Sequence, residues 1–268
     1  MTDEPEVLDV RGGDEPQLAV VGCVHGDEPC GELAMRRFLD EGRDLRTPTA
    51  FVVANPRACR RGVGHVDENL NRAFPGDPGG ESYEGRLAAS LLRAVGDCRV
   101  LDLHSTHSYP DPFVLVPRVD GRTLRLAAAT GISKVVDIGH VSGGLIDHVD
   151  GVAVECGLTG TVRAAENAYE ILTEFLASLG ALDEPASGLE TPPEIYHVFD
   201  AVEGSGYEVD ATNFERVEAG EAFARRGGDV LTADEPFFPV LMSEEGYEGL
   251  VGFKALRVKR VADMDPEA

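Results

Sequence analysis

Lysine is almost missing from this chain. Lys134, Lys254 and Lys259 are the only three among 268 residues, so nearly all the positive charge is arginine. Basic residues as a class are scarce too: 24 Lys and Arg face 48 Asp and Glu, for a net charge of −24. A surface this negative repels nucleic acid and anionic lipid, because both are bound by neutralising phosphates. Neither a nucleic acid nor a membrane is expected as a partner. High salt would screen the self-repulsion, so the composition points to a salt-adapted, halophilic protein; an acidic protein of no special habitat is the plainer alternative. Long apolar runs are also lacking, and none approaches the roughly 20 residues that cross a bilayer. The acidic start Met1-Thr2-Asp3-Glu4-Pro5-Glu6 has neither the basic nor the apolar stretch of a secretory signal, so a cytoplasmic location is expected. The five cysteines (Cys23, Cys30, Cys59, Cys98, Cys156) form no CxxC pair and are odd in number, which argues for reduced, partly buried thiols. Cys23 and Cys156 flank the candidate site developed below and are expected to pack there as small apolar groups.

What is present is ordinary material for a large core: 43% hydrophobic and 27% charged residues. Over the first two-thirds, apolar strands alternate with helical stretches. Strands are expected at residues 17–22, 50–54, 99–103, 113–116 and 152–154, and helices at 31–39, 83–95 and 161–179. Residues 55–80 read as one long polar loop. In 83–95 the residues Leu87, Leu91, Leu92 and Val95 share one side. This alternation implies an α/β fold with a mixed, mostly parallel sheet flanked by helices. After Leu182 the Asp-, Gly- and Pro-rich segments 183–188 and 191–193 read as a linker. Residues 1–182 are therefore expected to form the catalytic domain, and 183–268 a small β-rich C-terminal one.

The residues that carry chemistry cluster where strands are expected to end. The first strand runs into Cys23-Val24-His25-Gly26-Asp27-Glu28. His25 and Glu28 stand three apart on a turn entering a helix, so their side chains can converge. Imidazole and carboxylate are both normal zinc donors. A third donor arrives in Leu101-Asp102-Leu103-His104-Ser105-Thr106-His107, where the strand delivers His104 at its carboxyl end, the usual place for a site in an open α/β sheet. His107 is the rival third ligand, better suited to the rim. Two nitrogens and one carboxylate leave a fourth position open for water, the pattern of a catalytic rather than structural zinc. Taken singly, His25 reads as a helix cap, Glu28 as a solvated first-turn acid and His104 as a satisfied buried histidine; their common placement lifts them together. Glu155, at the end of apolar Gly151-Val152-Ala153-Val154, is costly there without a charged or protic partner, and suits a general base. In Asn69-Leu70-Asn71-Arg72, the exposed Arg72 beside Asn71 suits a carboxylate held by a guanidinium fork; a salt bridge to one of the many acids is the bland alternative.

These pieces in this order resemble the succinylglutamate desuccinylase/aspartoacylase family, relatives of the zinc carboxypeptidases. The matching segments are His25-Gly26-Asp27-Glu28, Asn55-Pro56-Arg57-Ala58, Asn69-Leu70-Asn71-Arg72-Ala73-Phe74-Pro75-Gly76, Asp102-Leu103-His104-Ser105-Thr106 and Val154-Glu155-Cys156-Gly157. Phe238-Pro239-Val240-Leu241 followed by Tyr247 resembles the family's C-terminal β segment. The resemblance implies one zinc ion per chain on His25, Glu28 and His104, with Glu155 activating the water. It implies a small N-acyl amino acid as substrate, bound by Asn71 and Arg72, and Tyr247 reaching in from the second domain. Two departures stand out. The family's oxyanion arginine would fall at Gly64, leaving Arg60, Arg61 or His65 to replace it, of which Arg61 is taken as the substrate-binding candidate. An arginine found in members acting on N-acetylaspartate would fall at Leu145. A peptide-cleaving metallocarboxypeptidase and a non-catalytic zinc- or ligand-binding relative are the alternative functions.

Overall fold

Leu18–Gly22 and Thr49–Val53 are buried at every position, which requires a strand covered on both faces. The computed structural model describes residues 3–139, 141, 143–189, 191–245 and 249–258. In chain order its elements are β1 (Glu6–Arg11), β2 (Leu18–Gly22), α1 (Cys30–Asp40), β3 (Thr49–Val53), α2 (Pro56–Arg61), α3 (Leu70–Ala73), α4 (Tyr83–Val95), β4 (Arg99–Thr106), β5 (Phe113–Val116), α5 (Gly121–Ala129), β6 (Lys134–Asp137), β7 (Asp150–Leu158), α6 (Val162–Ser178), β8 (Glu194–Glu203), β9 (Glu208–Val209), β10 (Ala222–Arg226), β11 (Asp229–Thr232), β12 (Phe238–Val240) and β13 (Leu250–Val258). A short 3₁₀ turn, Leu145–Asp147, precedes β7.

Among the described residues a ten-stranded sheet runs β1-β3-β2-β4-β7-β5-β6-β8-β13-β12, and β11-β10-β9 form a small second sheet. The centre β3-β2-β4-β7 is parallel, whereas β5 runs antiparallel to β7. The fold is thus mixed α/β with a mostly parallel sheet flanked by helices. β8 pairs in parallel with β6, and β13 then β12 follow antiparallel, so β8, β13 and β12 extend the same sheet. No helix among the described residues is long and apolar enough to cross a membrane.

Alternation along the strands sorts the core into two layers. Val20, Leu101, Leu103, Val152 and Val154 face α1 and α6 and pack with Met35, Phe38, Leu172 and Phe175. Ala19, Val21 and Val100 face the opposite side, against Leu70, Leu87 and Leu91. Successive side chains on a strand point to opposite faces, so Asp102 and His104 share the second side with Val100.

The structure departs from the sequence expectation in three places. Residues 55–80 are not one loop, since they contain α2 and α3. The Asn55 side chain accepts a hydrogen bond from the Ala58 N–H, Pro56 occupies the first turn and Gly62 closes the helix in a left-handed conformation, the standard start and stop signals of a helix. Asn69 caps α3 in the same way through the Asn71 N–H. Secondly, β4 and β7 run on past residues 103 and 154, so His104 and Glu155 lie within strands. Thr106 keeps β geometry by pairing with Leu158 of neighbouring β7 beyond a register shift, while the Ser105 N–H donates to Glu28. Thirdly, β1, α5 and β6 carried too weak a periodicity to be expected from sequence.

The stretch linking α2 to α3 is pinned by a buried carboxylate. Glu84 is wholly buried and accepts from Asn55 Nδ2 and from the N–H groups of Val66, Asp67 and Glu68, at 3.1, 2.6, 3.0 and 3.3 Å. These donors satisfy a charge that would otherwise be costly in the core. The replacement Glu84→Ala removes the acceptor from four donors at once. It is expected to cost roughly 3 kcal/mol, read as a lowered denaturant midpoint. A loss below about 0.5 kcal/mol, typical of surface changes, would show that this stretch is held by other contacts.

Candidate active site

Three neighbouring parallel strands deliver the site. β2 leads into the turn bearing His25 and Glu28, β4 carries His104, and β7 carries Glu155, with His104 and Glu155 as direct register partners. Gly26 lets the turn dock: a Cβ there would come within 2.1 Å of the Ala58 carbonyl carbon in α2, so no larger residue fits.

Glu28 sits between two imidazoles. Its Oε1 lies 2.9 Å from His25 Nδ1, and its Oε2 lies 2.9 Å from His104 Nδ1 and accepts from the Ser105 N–H. The donor atoms of His25, Glu28 and His104 all fall within 4.8 Å of one another, which is compact enough for one cation. Each ring is also held from behind. Asp102 Oδ2 lies 2.9 Å from His104 Nε2, and Asn69 Oδ1 lies 3.2 Å from His25 Nε2. Such outer partners fix the ring that presents its other nitrogen to a metal.

The electrostatics follow from that packing. Burial alone would raise the Glu28 pKa, but the facing His25 and His104 hold it well below the usual carboxylate range. Burial would lower His25 and His104, but Glu28 raises the first, and Asp102 with Glu28 raises the second well above ordinary imidazole. Both rings are thus biased toward carrying positive charge beside the Glu28 carboxylate. Glu155 behaves oppositely. Burial first, then the Glu28 charge, pushes its pKa up to about 8. Its Oε2 is buried without a hydrogen-bond partner, an arrangement that asks for a ligand in the adjoining space.

One cavity joins these groups. His25, His104, Glu155, Asn71 and Arg72 all line it, together with Asn69 and Asp102. Its remaining walls are apolar, among them Leu115, Ile138, Leu145, Ile146, Leu241 and Phe253. Asn71 Oδ1 accepts from the Leu145 N–H at 3.4 Å, and Arg72 donates to the Asn71 carbonyl oxygen at 3.0 Å. Arg60 and Arg61 stand exposed in the last turn of α2 and His65 is exposed beyond it; none of the three lines the cavity. His107 is exposed and faces Glu245 at 2.9 Å. Tyr247 lies outside the described residues.

Three contributors carried no role in the sequence reading. Asp102 stands two residues before His104, which on a strand means the same face; that spacing was the available signal. Glu84 occupies an apolar-stripe position three and seven residues before Leu87 and Leu91, and a carboxylate there marks a buried partner network. Asn69 gave no signal apart from its helix-capping residue type.

A family model described as the succinylglutamate desuccinylase/aspartoacylase catalytic domain matches residues 14–179. An N-acyl-aromatic-L-amino acid amidohydrolase (carboxylate-forming) of Xenopus laevis is 30% identical over 125 residues, 41% of this chain and 41% of that protein. The first such curated relatives are spanned over only 33–43% of their length. A succinylglutamate desuccinylase of Shewanella sp. (strain W3-18-1) is 25% identical over 83% of this chain and 76% of its own. Among solved structures, a succinylglutamate desuccinylase/aspartoacylase from Rhodobacter sphaeroides superposes with a TM-score of 0.76 at 18% identity, covering 94% of this chain and 88% of that one; the likeness is one of fold.

Two expectations follow from the site geometry. Zinc binding should displace protons from the His25–Glu28–His104 cluster, and its affinity should fall as the pH drops, because both histidines then hold their protons. Calorimetric titration in two buffers of different ionisation enthalpy reads the proton number; zero protons released would contradict this picture. Removing the charge behind His104 with Asp102→Asn should weaken zinc binding by about 10–100-fold, measured by competition with a chromophoric chelator.

Proposed function

The chain belongs to the succinylglutamate desuccinylase/aspartoacylase family, and we propose that it is a zinc-dependent amidohydrolase that releases an amino acid from a small N-acyl amino acid. The observation that carries this reading is the pairing of a compact His25–Glu28–His104 donor set with a buried, unpartnered carboxylate oxygen of Glu155 in one cavity. One zinc ion per chain suits the donors, since two imidazole nitrogens and one carboxylate form a common catalytic set that leaves a position for solvent. When bound there, zinc polarises the scissile carbonyl and makes a water molecule acidic near neutral pH.

The side chains do the rest. Asp102 and Asn69 hold the two rings in place. Glu155 takes a proton from the attacking water as its oxygen bonds the amide carbon. As the carbon–nitrogen bond breaks, Glu155 passes that proton to the leaving amine, and the products are a carboxylate and a free amino acid. Burial supports this role by lifting the Glu155 carboxyl above the usual carboxylate range, which strengthens it as a proton acceptor. Arg72, with Asn71, binds the α-carboxylate of the substrate through its guanidinium. Arg61, exposed in the last turn of α2, and Tyr247, outside the described residues, are the further substrate-binding candidates of this reading. In this reading residues 1–182 form the catalytic unit, and 183–268 a smaller unit that narrows the cleft against peptides.

The apolar walls favour an uncharged acyl group or side chain, since Leu145 offers no charge to a second carboxylate. The relatives named for N-acyl-aromatic amino acids are compatible with this preference. The net charge of −24 fits work in a concentrated salt cytoplasm, where screening relieves self-repulsion.

The test is hydrolysis of N-acyl amino acids and short peptides at high salt, with and without chelator. N-acyl amino acids with apolar side chains should be cleaved, peptides spared, and chelation should abolish turnover. Zinc content without turnover on any substrate would instead identify a binding protein. The variant Glu155→Gln should retain zinc and lose at least about 100-fold in kcat; an unchanged rate would remove Glu155 from the mechanism.

A further inference from the structure

We propose that Cys23, Cys59 and Glu32 form a second cation site, for a thiophilic divalent ion of the zinc class, behind the turn that carries His25 and Glu28. Cys23, expected from its sequence surroundings to pack as a small apolar group, does more than fill space. Its thiol meets two polar groups from two other elements. The Sγ atoms of Cys59, in α2, and Cys23, at the end of β2, lie 2.9 Å apart. Cys59 also donates to Glu32 Oε2, from α1, at 2.9 Å, and Cys23 Sγ lies 3.8 Å from the same oxygen. Among the described residues this trio and the His25–Glu28–His104 trio are the two groups whose donor atoms all fall within 4.8 Å.

The surroundings are arranged for a ligand. Arg36 takes Glu32 Oε1 at 2.7–2.8 Å, which holds the carboxylate in place and leaves Oε2 for the sulfurs. Cys23 adopts φ 54°, a left-handed conformation that is costly for a residue with a Cβ and recurs where function demands a particular aim. Here it turns the thiol toward Cys59 and Glu32. Two sulfurs and one carboxylate oxygen select zinc-class ions over magnesium or calcium. A tetrahedral ion with bonds of about 2.3 Å to sulfur is accommodated by opening the pair by roughly 1 Å, and its binding displaces the two thiol protons to solvent. Cys23 is fully buried, while Cys59 and Glu32 are partly exposed, so the ion has a route in and solvent can supply a fourth ligand.

None of the three lines the hydrolytic cavity. The second ion would act as a clamp, tying β2, α1 and α2 together beneath the turn whose Glu28 carbonyl oxygen lies 3.7 Å from Cys23 Sγ. This inference does not depend on the proposed reaction.

The test uses the full chain, stripped by chelator under reducing conditions and titrated with cobalt(II). The wild type should take up two equivalents and show a near-ultraviolet thiolate-to-cobalt charge-transfer band. His25→Ala should take up one equivalent and keep the band. Cys59→Ser, at a partly exposed position, should take up one equivalent and lose it, and Glu32→Gln should weaken the band-forming equivalent by at least tenfold. A band absent from the wild type, or retained in Cys59→Ser, would overturn the assignment. So would a single cobalt equivalent together with a Cys23–Cys59 disulfide, seen as the mass loss of two hydrogens after air exposure.

Discussion

Glu28 is held, largely shielded from water, between His25 and His104, with each carboxylate oxygen 2.9 Å from a ring nitrogen, and much of the site is organised around making that charge tolerable. A carboxylate out of water needs compensating charge and hydrogen bonds. Both rings and the Ser105 N–H provide them, and Asp102 and Asn69 in turn fix the rings. Two carboxyl groups of one site therefore end up with opposite tendencies. Glu28 is held ionised by its neighbours, while Glu155, with burial and a like charge acting on it, is pushed toward its protonated form. Divergent environments of this kind separate a binding group from a proton-transfer group.

The sheet makes this economical in sequence. On β4 and β7 the alternation assigns one face to the core and the other to the cavity. Leu101, Leu103, Val152 and Val154 bury against α1 and α6, while Asp102, His104 and Glu155 point the other way. The same strands thus supply hydrophobic stability and rigid placement of polar groups. Away from the strands, precision comes from capping and buried hydrogen bonds. Asn55 and Asn69 cap the short helices α2 and α3, and Glu84 gathers the backbone between them. A segment that reads as polar and structureless is thereby held beside the cavity, with Asn71 and Arg72 on its lining.

Much was legible before any coordinates. The fully apolar runs at β2, β3 and β5 stand out, as does the stripe of α4, because burial on two faces or one leaves a periodic trace. The spacing of His25 and Glu28 also reads directly, since it depends on local geometry, as do the strands leading to His104 and Glu155, although both strands run further than expected. Less visible were α2 and α3. Their signals, Asn-Pro at one end and Gly62 at the other, are short, and a helix of four to six residues has no periodicity to display.

The sequence by itself determined the kinds of donors, their order along the chain and the strands that carry them. It also determined a strongly acidic composition, with a net charge of −24. Tertiary structure alone decided which groups meet. Asn69 behind the His25 ring, Glu84 beneath the loop, and Cys59 with Glu32 are brought together by sheet order and helix packing. Contacts such as Cys59 with Glu32, 27 positions apart, and His25 with Asn69, 44 apart, leave no pattern in one chain read linearly, because only the folded backbone sets the distance between them.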